Sequence, residues 1–478
     1  MNQAHAPTRL LGLPWWLSDE RFIGVDIHKH YVTAVALDQQ RQVLWQRRRI
    51  PLEQWPAWVE QHLTPQDAVV MEATTNCWWV YDQTAPVAGR CVVAHPDSKA
   101  RVKTDLQDAK RWAERLLADD FKPVWVPPQA VRELRSLLAY RQRQVTARTR
   151  LKNRLQGLLH THQIVPPPEA LFSPNQRAWW ASLPLSEIDQ LRCHQDLAAL
   201  DLVEGQLKQL EQKLAAVSQQ DPWQGDCLRL LQLPGVGLIV AMTLLAAIGD
   251  IRRFETPTKL VGYAGLGAAI DQSGDKHRHG GITKSGRKDL RHMLVEAARI
   301  AVRQPGHWQR LYQRRGALWA RRIGDHKAIT AVARKLLVAV WHLLMHGGDG
   351  APTAALLSPQ QLAAKFLRLA SKLTKEQRQG LRLHDFAAYA LTLMGLAGQV
   401  TAIVQGETRL PLLSSSHYRF IIDRLCNMDL TKQLLQQIKP INRGQSDQRR
   451  RVGNNDHDPA PTGSALTAAS SSASSAGV

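Results

Sequence analysis

The chain has 478 residues, of which 44% are hydrophobic, enough for roughly two to four domains with buried cores. Its 62 Lys and Arg outnumber 41 Asp and Glu, and the formal charge of +21 points to a polyanion, first of all nucleic acid. No membrane partner is expected, because no apolar stretch reaches the roughly 18 residues of a spanning helix. The short N-terminal run LLGLPWWL leads straight into acids, unlike a signal peptide, so a cytoplasmic protein is expected. The five cysteines are scattered without a C-x-x-C, which argues against a disulfide framework and against a zinc site.

Residues 20–128 alternate strand and helix signals. RFIGVDIHK, YVTAVALD, QVLWQRRRI, AVVMEATT, RCVVAHP and FKPVWVPP read as strands, and WVYDQTAP and DLQDAKRWAERLLADD as helices between the later ones. Several strands followed by strand–helix alternation predict a mixed α/β sheet with helices packed on it. Residues 129–224 read as a helical linker. Its first half carries Arg132, Arg135, Arg141, Arg143, Arg148, Arg150, Lys152 and Arg154 around a leucine stripe; Arg141 and Arg148 are taken as nucleic-acid contacts. Its second half spaces Leu200, Val203, Leu207, Leu210, Leu214 and Val217 as a coiled-coil seam, open to helix packing within the chain or to a dimer contact.

Residues 225–347 form a second, mostly helical unit. It opens with LPGVG between two apolar helices, a helix-hairpin-helix pattern whose glycines let backbone N–H groups approach a phosphate. A Gly-rich loop follows, with Lys276, Arg278, Lys284, Arg287, Lys288 and Arg291 as candidate phosphate contacts or a solvated basic loop. Residues 351–445 read as a helical extension, 1–19 as an N-terminal extension, and 446–478 as a low-complexity, disordered tail.

The chemistry lies in four acids. Asp26 interrupts FIGVDI and Glu72 interrupts AVVME, both apolar runs where a carboxylate is costly unless paired or on a metal. Asp105 and Asp108 stand three apart and share a helix face. Oxygen ligands converging from two strands and a helix suit Mg²⁺, and two ions about 3.5–4 Å apart would serve phosphodiester chemistry. Taken singly, Asp105 also reads as a helix N-cap. His28 and Lys29 read as solvent-facing or phosphate-near rather than as ligands. Ser273, in DQSGDKH, reads by itself as a turn residue.

In order along the chain, GVDIHKHYVTAVALD, VVMEATTNCWW, KTDLQDAKRWAERL, LPGVGLIVAMTLLAAIGDIRRF, LVGYAGLGAAIDQSG and GGITKSGRKDLRHMLVEAARIA resemble the DEDD-type insertion-sequence transposases. This is the insertion-sequence one-ten family of bacterial mobile elements, also called bridge-RNA-guided recombinases. The resemblance covers about residues 20–347. It implies a RuvC-like, RNase H-type first domain in which Asp26, Glu72, Asp105 and Asp108 bind Mg²⁺, and a transposase domain whose serine nucleophile matches Ser273. It further implies a composite site across subunits of a homodimer or homotetramer, double-stranded DNA at the element ends and target, a noncoding guide RNA, and work at the bacterial nucleoid. Two other readings stand beside it: a RuvC-like junction nuclease using metal-activated water, and a structural nucleic-acid-binding protein with relic carboxylates.

Overall fold

The computed structural model describes residues 21–96, 104–168, 170–273, 276–319, 325–347, 353–396, 399–400, 402–405 and 408–411. The N-terminal extension and the low-complexity tail expected from the sequence lie outside these residues. The chain divides into two compact units at Ala130/Val131.

In the first unit, β1 (Arg21–Ile27), β2 (Tyr31–Leu37) and β3 (Val43–Pro51) form a meander. Then come α1 (Trp55–His62), β4 (Asp67–Glu72), α2 (Cys77–Thr84), β5 (Arg90–Ala94), α3 (Asp105–Leu117) and β6 (Pro123–Val124). All six expected strands are present in one sheet of order β3-β2-β1-β4-β5-β6. β1 is antiparallel to β2 and parallel to β4; β4 is parallel to β5, and β5 antiparallel to β6.

Successive strand side chains face opposite sides, so each strand serves two layers. Ile23, Val25, Val69 and Met71 face a core that includes Trp55 and Val59 of α1 and Cys77 and Val80 of α2. Phe22, Ala68 and Val70 point the other way, onto Trp112 and Leu116 of α3. Helix α1 is absent from the sequence expectations: it spans two turns and buries only Trp55 and Val59, too few to show a helical period. Asp67, fully buried at the start of β4, receives Nε and Nη2 of Arg21 at 2.6 Å each and the Thr64 amide at 2.7 Å. That bidentate pair ties the start of β1 to β4.

One position fixes how close α3 comes to the sheet. A Cβ on Gly24 would stand 1.9 Å from the carbonyl oxygen of Ala109 and 2.5 Å from the amide nitrogen of Ala113. Only a residue without Cβ lets the α3 backbone rest on β1 there.

The second unit comprises α4 (Gln129–Thr161), α5 (Arg177–Ala181), α6 (Glu187–Val217), α7 (Gln224–Leu231), α8 (Leu238–Ile248), α9 (Pro257–Tyr263), β7 (Ala268–Ser273), β8 (Lys276–Ile282), α10 (Lys288–Ala301), α11 (His307–Trp319), α12 (Asp325–His346), α13 (Pro359–Ala370), α14 (Leu383–Leu393), β9 (Ala402–Gln405) and β10 (Thr408–Pro411). Helices α4 and α6 pair antiparallel through Leu151, Leu155, Leu159, Leu197 and Leu200, with Arg141–Glu211 at 2.7 Å and Lys152–Glu204 at 2.9 Å alongside. The leucine seam is therefore at least partly spent on packing within the chain.

α12 is long and apolar enough to cross a membrane by length and composition, contrary to the sequence expectation. Ala328, Val332, Leu336, Leu337 and Val340 are buried against neighbours that include α9 and α10, which makes it the core helix of this unit. The Gly-rich loop contains a hairpin, β7–β8, that the sequence expectations lack. The extension after residue 351 adds a second hairpin, β9–β10, to its two helices.

The α7–α8 turn is held from the extension. Lys365 of α13 donates to the carbonyls of Leu231, Leu233 and Val236 at 2.8, 2.7 and 2.7 Å. Burial pulls this lysine down from the ordinary 10.5 to about 7, and nearby Arg368 adds to the effect. In the turn itself, Gly235 has φ +76° and a Cβ there would stand 2.0 Å from the Ala297 oxygen, so this glycine serves close packing on α10. Gly237, which has open space around it, starts α8.

Candidate metal and nucleic-acid site

The carboxylates meet on the α3 side of the sheet. Asp26 shares its face with Phe22 and Gly24 by strand alternation, and Glu72 shares its face with Ala68 and Val70. The parallel register pairs Val25 with Met71, so Asp26 and Glu72 stand one step further along, side by side at the strand ends. Thr104 caps α3, its Oγ1 accepting from the Gln107 amide at 3.3 Å. Asp105 is thereby the first residue of the helix and is not used as its cap. Asp105 and Asp108 both sit in the first turn, where the positive end of the helix dipole favours carboxylates.

Asp26, His28 and Asp105 each offer a ligand atom, and these atoms lie within 4.8 Å of one another. His28 Nε2 is 3.0 Å from Asp26 Oδ2 and 3.3 Å from Asp105 Oδ1. Tyr31 donates its hydroxyl to Asp105 Oδ2 at 3.1 Å, and the His28 and Tyr31 rings stack at 4.5 Å. Asn76 donates to the His28 carbonyl at 2.9 Å. Burial pushes the Asp26 carboxyl above its usual range; His28 offsets part of this, and Asp108 and Asp105 add to it by repulsion. Asp108 is buried with Arg111 Nη2 at 2.9 Å, yet its Oδ1 receives no well-directed hydrogen bond.

A hard, oxygen-seeking divalent cation fits this arrangement. Like charges are crowded on one face, one buried carboxylate oxygen, Asp108 Oδ1, has only the ion pair with Arg111 and no well-directed hydrogen bond, and an imidazole stands between two of the acids. Asp26 and Asp105 meet with His28 in one cluster; Asp108, on the same helix turn as Asp105, also repels the Asp26 charge, and Glu72 stands beside Asp26 on the neighbouring strand. His28 and Tyr31 stand beside the acids; His28 was expected to be solvent-facing or phosphate-near rather than a ligand, and its ring, still partly exposed, lies between Asp26 and Asp105. The signal for His28 was the strand period, since i and i+2 share a face, whereas Tyr31 lies beyond the β1–β2 turn and gives no such cue.

In the second unit, Ser273 ends β7, its backbone opposite Lys276 of β8. The side chains of Ser273, Lys276 and Arg278 lie outside the described residues. Lys284 and Lys288 are exposed. Arg287 is bonded to Asp289 at 2.9 and 2.5 Å, and Arg291 to the Ala264 carbonyl at 3.0 Å. Arg141 pairs with Glu211, while Arg148 is half-buried beside Glu204 and Glu211. Arg135 donates to the Ala246 and Ala247 carbonyls at 2.7 and 3.1 Å, closing the end of α8. Part of the basic linker is therefore structural.

A mixed sheet of this order, with acids ending β1 and β4 and opening the helix between them and the last strand, defines an RNase H-like protein acting on nucleic acid. Residues 23–164 match a family model described as a transposase of the DEDD type, and residues 227–313 match one described as "Transposase IS116/IS110/IS902 family". The chain is 27% identical to the transposase for insertion sequence element IS1111A of Coxiella burnetii, over 69% of this chain and 90% of that one. It is 31% identical to the transposase for element IS1328 of Yersinia enterocolitica over 25% of this chain and 36% of the other. A pilin gene-inverting protein of Moraxella bovis is 26% identical over 58% and 82%. The chain belongs to the IS110/IS116/IS902 family of insertion-sequence transposases, and it is a DNA transposase.

Proposed function

We propose that this transposase cuts and rejoins strands at the ends of its own element and at a target. In this reading Asp26, Glu72, Asp105 and Asp108 hold two Mg²⁺ ions, Ser273 is the nucleophile, and a noncoding RNA of the element selects the DNA. Residues 20–128 bring the acids and 225–347 the serine, and two or four copies assemble on the DNA. The convergence of Asp26 and Asp105 on one sheet face beside Glu72 and Asp108 is the observation that supports it most.

Bound there, Mg²⁺ would neutralise the phosphate and ease deprotonation of a hydroxyl. Ser273 Oγ forms a bond to phosphorus, the strand oxygen leaves with a proton, and a phosphoserine ester remains. The hydroxyl of the joining strand then attacks that phosphorus, and Oγ leaves and regains a proton. One phosphoester bond is exchanged for another at each step, so no nucleotide is consumed. Tyr31 and His28 hold Asp105 and Asp26 in the orientation that receives the cation. The exposed Lys284 and Lys288 contact strand phosphates.

The test uses purified protein, plasmid DNA carrying the element ends, and RNA transcribed from the element's flank. Wild type should give a denaturant-resistant protein–DNA adduct and joined product that depend on Mg²⁺ and on the RNA. Glu72→Gln should abolish both. Ser273→Ala should abolish the adduct; continued cutting without adduct would favour the water-using nuclease, and full strand joining by Ser273→Ala would reject the serine step.

A further inference from the structure

The register of β3 against β2 slips between Val32 and Ala34. Ile50 pairs with Val32 and Arg47 with Ala34, leaving Arg48 and Arg49 together opposite Thr33. This is a β-bulge, a device that re-aims a side chain. Arg49 has φ +52°, left-handed backbone that residues other than glycine seldom adopt. Such an outlier inside an edge strand invites a question about what it holds in place.

What it carries is a guanidinium over Tyr31, the ring that contacts the acid site. The Arg49 Cζ lies 5.1 Å from the centre of the Tyr31 ring, the same ring whose hydroxyl donates to Asp105 and whose face stacks on His28. Asp105 stands two contacts from this cation, through Tyr31, and Asp26 three, through Tyr31 and His28, yet no carboxylate pairs with it among the described residues, and the side chain is exposed. Asp105, which shares Tyr31 with this arginine, is the carboxylate it could otherwise turn to. Its place over the Tyr31 ring leaves its five donors without a carboxylate partner among the described residues.

We propose that Arg49 binds a backbone phosphate of the DNA strand engaged at the acid site. The inference rests on the reading of that site as the strand-cutting centre and adds a substrate-binding residue to it. A guanidinium suits this task because its paired N–H groups match two phosphate oxygens. Tyr31 is the positioning residue between the two functions: one face or edge fixes Arg49, and its hydroxyl fixes Asp105. Cation and phosphate clamp are thereby kept in one register.

Arg49→Gly is the informative variant, since glycine adopts the left-handed backbone freely while removing the guanidinium. Thermal stability should match or exceed that of wild type, while strand cutting falls by roughly 10- to 100-fold, the loss expected for charge-assisted bonds. In the Glu72→Gln background, where no strand is cut, Arg49→Gly should flatten the plot of log affinity against log salt by roughly 0.7–0.9, one phosphate contact. Arg49→Lys, which keeps the charge and loses the fork, should fall between. If wild type cuts and Glu72→Gln does not, but Arg49→Gly matches wild type in rate and salt slope, the Arg49 assignment is overturned and the acid-site reading stands. If wild type and Glu72→Gln behave alike, the acid-site reading fails and takes this inference with it.

Discussion

Replacing Gly24 by alanine tests whether the contact of α3 with β1 sets the acid geometry. The new Cβ would lie 1.9 Å from the Ala109 oxygen, whereas a carbon–oxygen contact needs about 3.3 Å. The obstacle is backbone, so no side chain can turn aside, and α3 must withdraw by roughly 1.4 Å on that carbon–oxygen limit. Overpacking of this kind costs about 1–3 kcal/mol, a loss visible in a denaturant melt. The functional effect should be larger in proportion. α3 carries Asp105 and Asp108 in its first turn, and Mg²⁺ tolerates little departure from ligand distances of about 2.0–2.1 Å. A displacement of about 1 Å can cost 10²-fold in rate. Cutting of element DNA, measured at saturating Mg²⁺, should fall by about that factor or more. Gly205→Ala in α6, where a Cβ meets nothing within 4 Å, is the control and should stabilise by about 0.5–1 kcal/mol. Wild-type stability and cutting in Gly24→Ala would refute the argument.

Two further outcomes follow from buried ionisable groups. Asp26 has its carboxyl raised by burial, so the folded chain holds a proton that the unfolded chain has released. Its ionised form therefore opposes folding as pH rises through the folded value. Asp26→Asn should raise the melting temperature in EDTA at pH 7, by about 0.5–2 kcal/mol in stability, while abolishing cutting; a lower melting temperature would contradict this. Lys365, brought from 10.5 to about 7, releases its proton in the folded chain across a window where the unfolded chain keeps it. Wild-type stability should then rise with pH between about 7 and 10.5 relative to Lys365→Met. At pH 9, where the folded lysine is a neutral amine with two N–H donors for the three carbonyls, the variant, which offers none, should be less stable by about 1–3 kcal/mol. Parallel pH profiles in urea titrations would count against the first claim.

The first unit was legible because its strands are apolar runs broken by punctuation, and an acid inside such a run stands out. Asp26 and Glu72 could be placed on strands, and Asp105 and Asp108 on one helix face, before any coordinates. Whether Asp105 capped α3 could not be decided, since Thr104 beside it is an equally good cap; the geometry favours Thr104. Tyr31 and Arg49 depend on a turn and a bulge, which periodicity does not encode. The linker arginines illustrate the opposite difficulty. Positive charge in a basic chain suggests nucleic acid, but Arg135 is engaged by the Ala246 carbonyl, 111 residues further along the chain, and Arg141 by Glu211, 70 residues further along. The β7–β8 hairpin was hidden because glycines and charges give it no alternating pattern.

The sheet has two open edges, and they are guarded differently. β6 is two residues long and begins with Pro123, which cannot donate to an incoming strand. β3 is nine residues long and exposes Val43 and Leu44, so it could recruit a foreign strand. Its bulge and its run Arg47–Arg49 bend and charge that edge, which discourages fibre-like stacking of one chain on the next. Neutralising those arginines would thus endanger the solubility of the protein at the crowded concentrations of its own synthesis, quite apart from any effect on DNA.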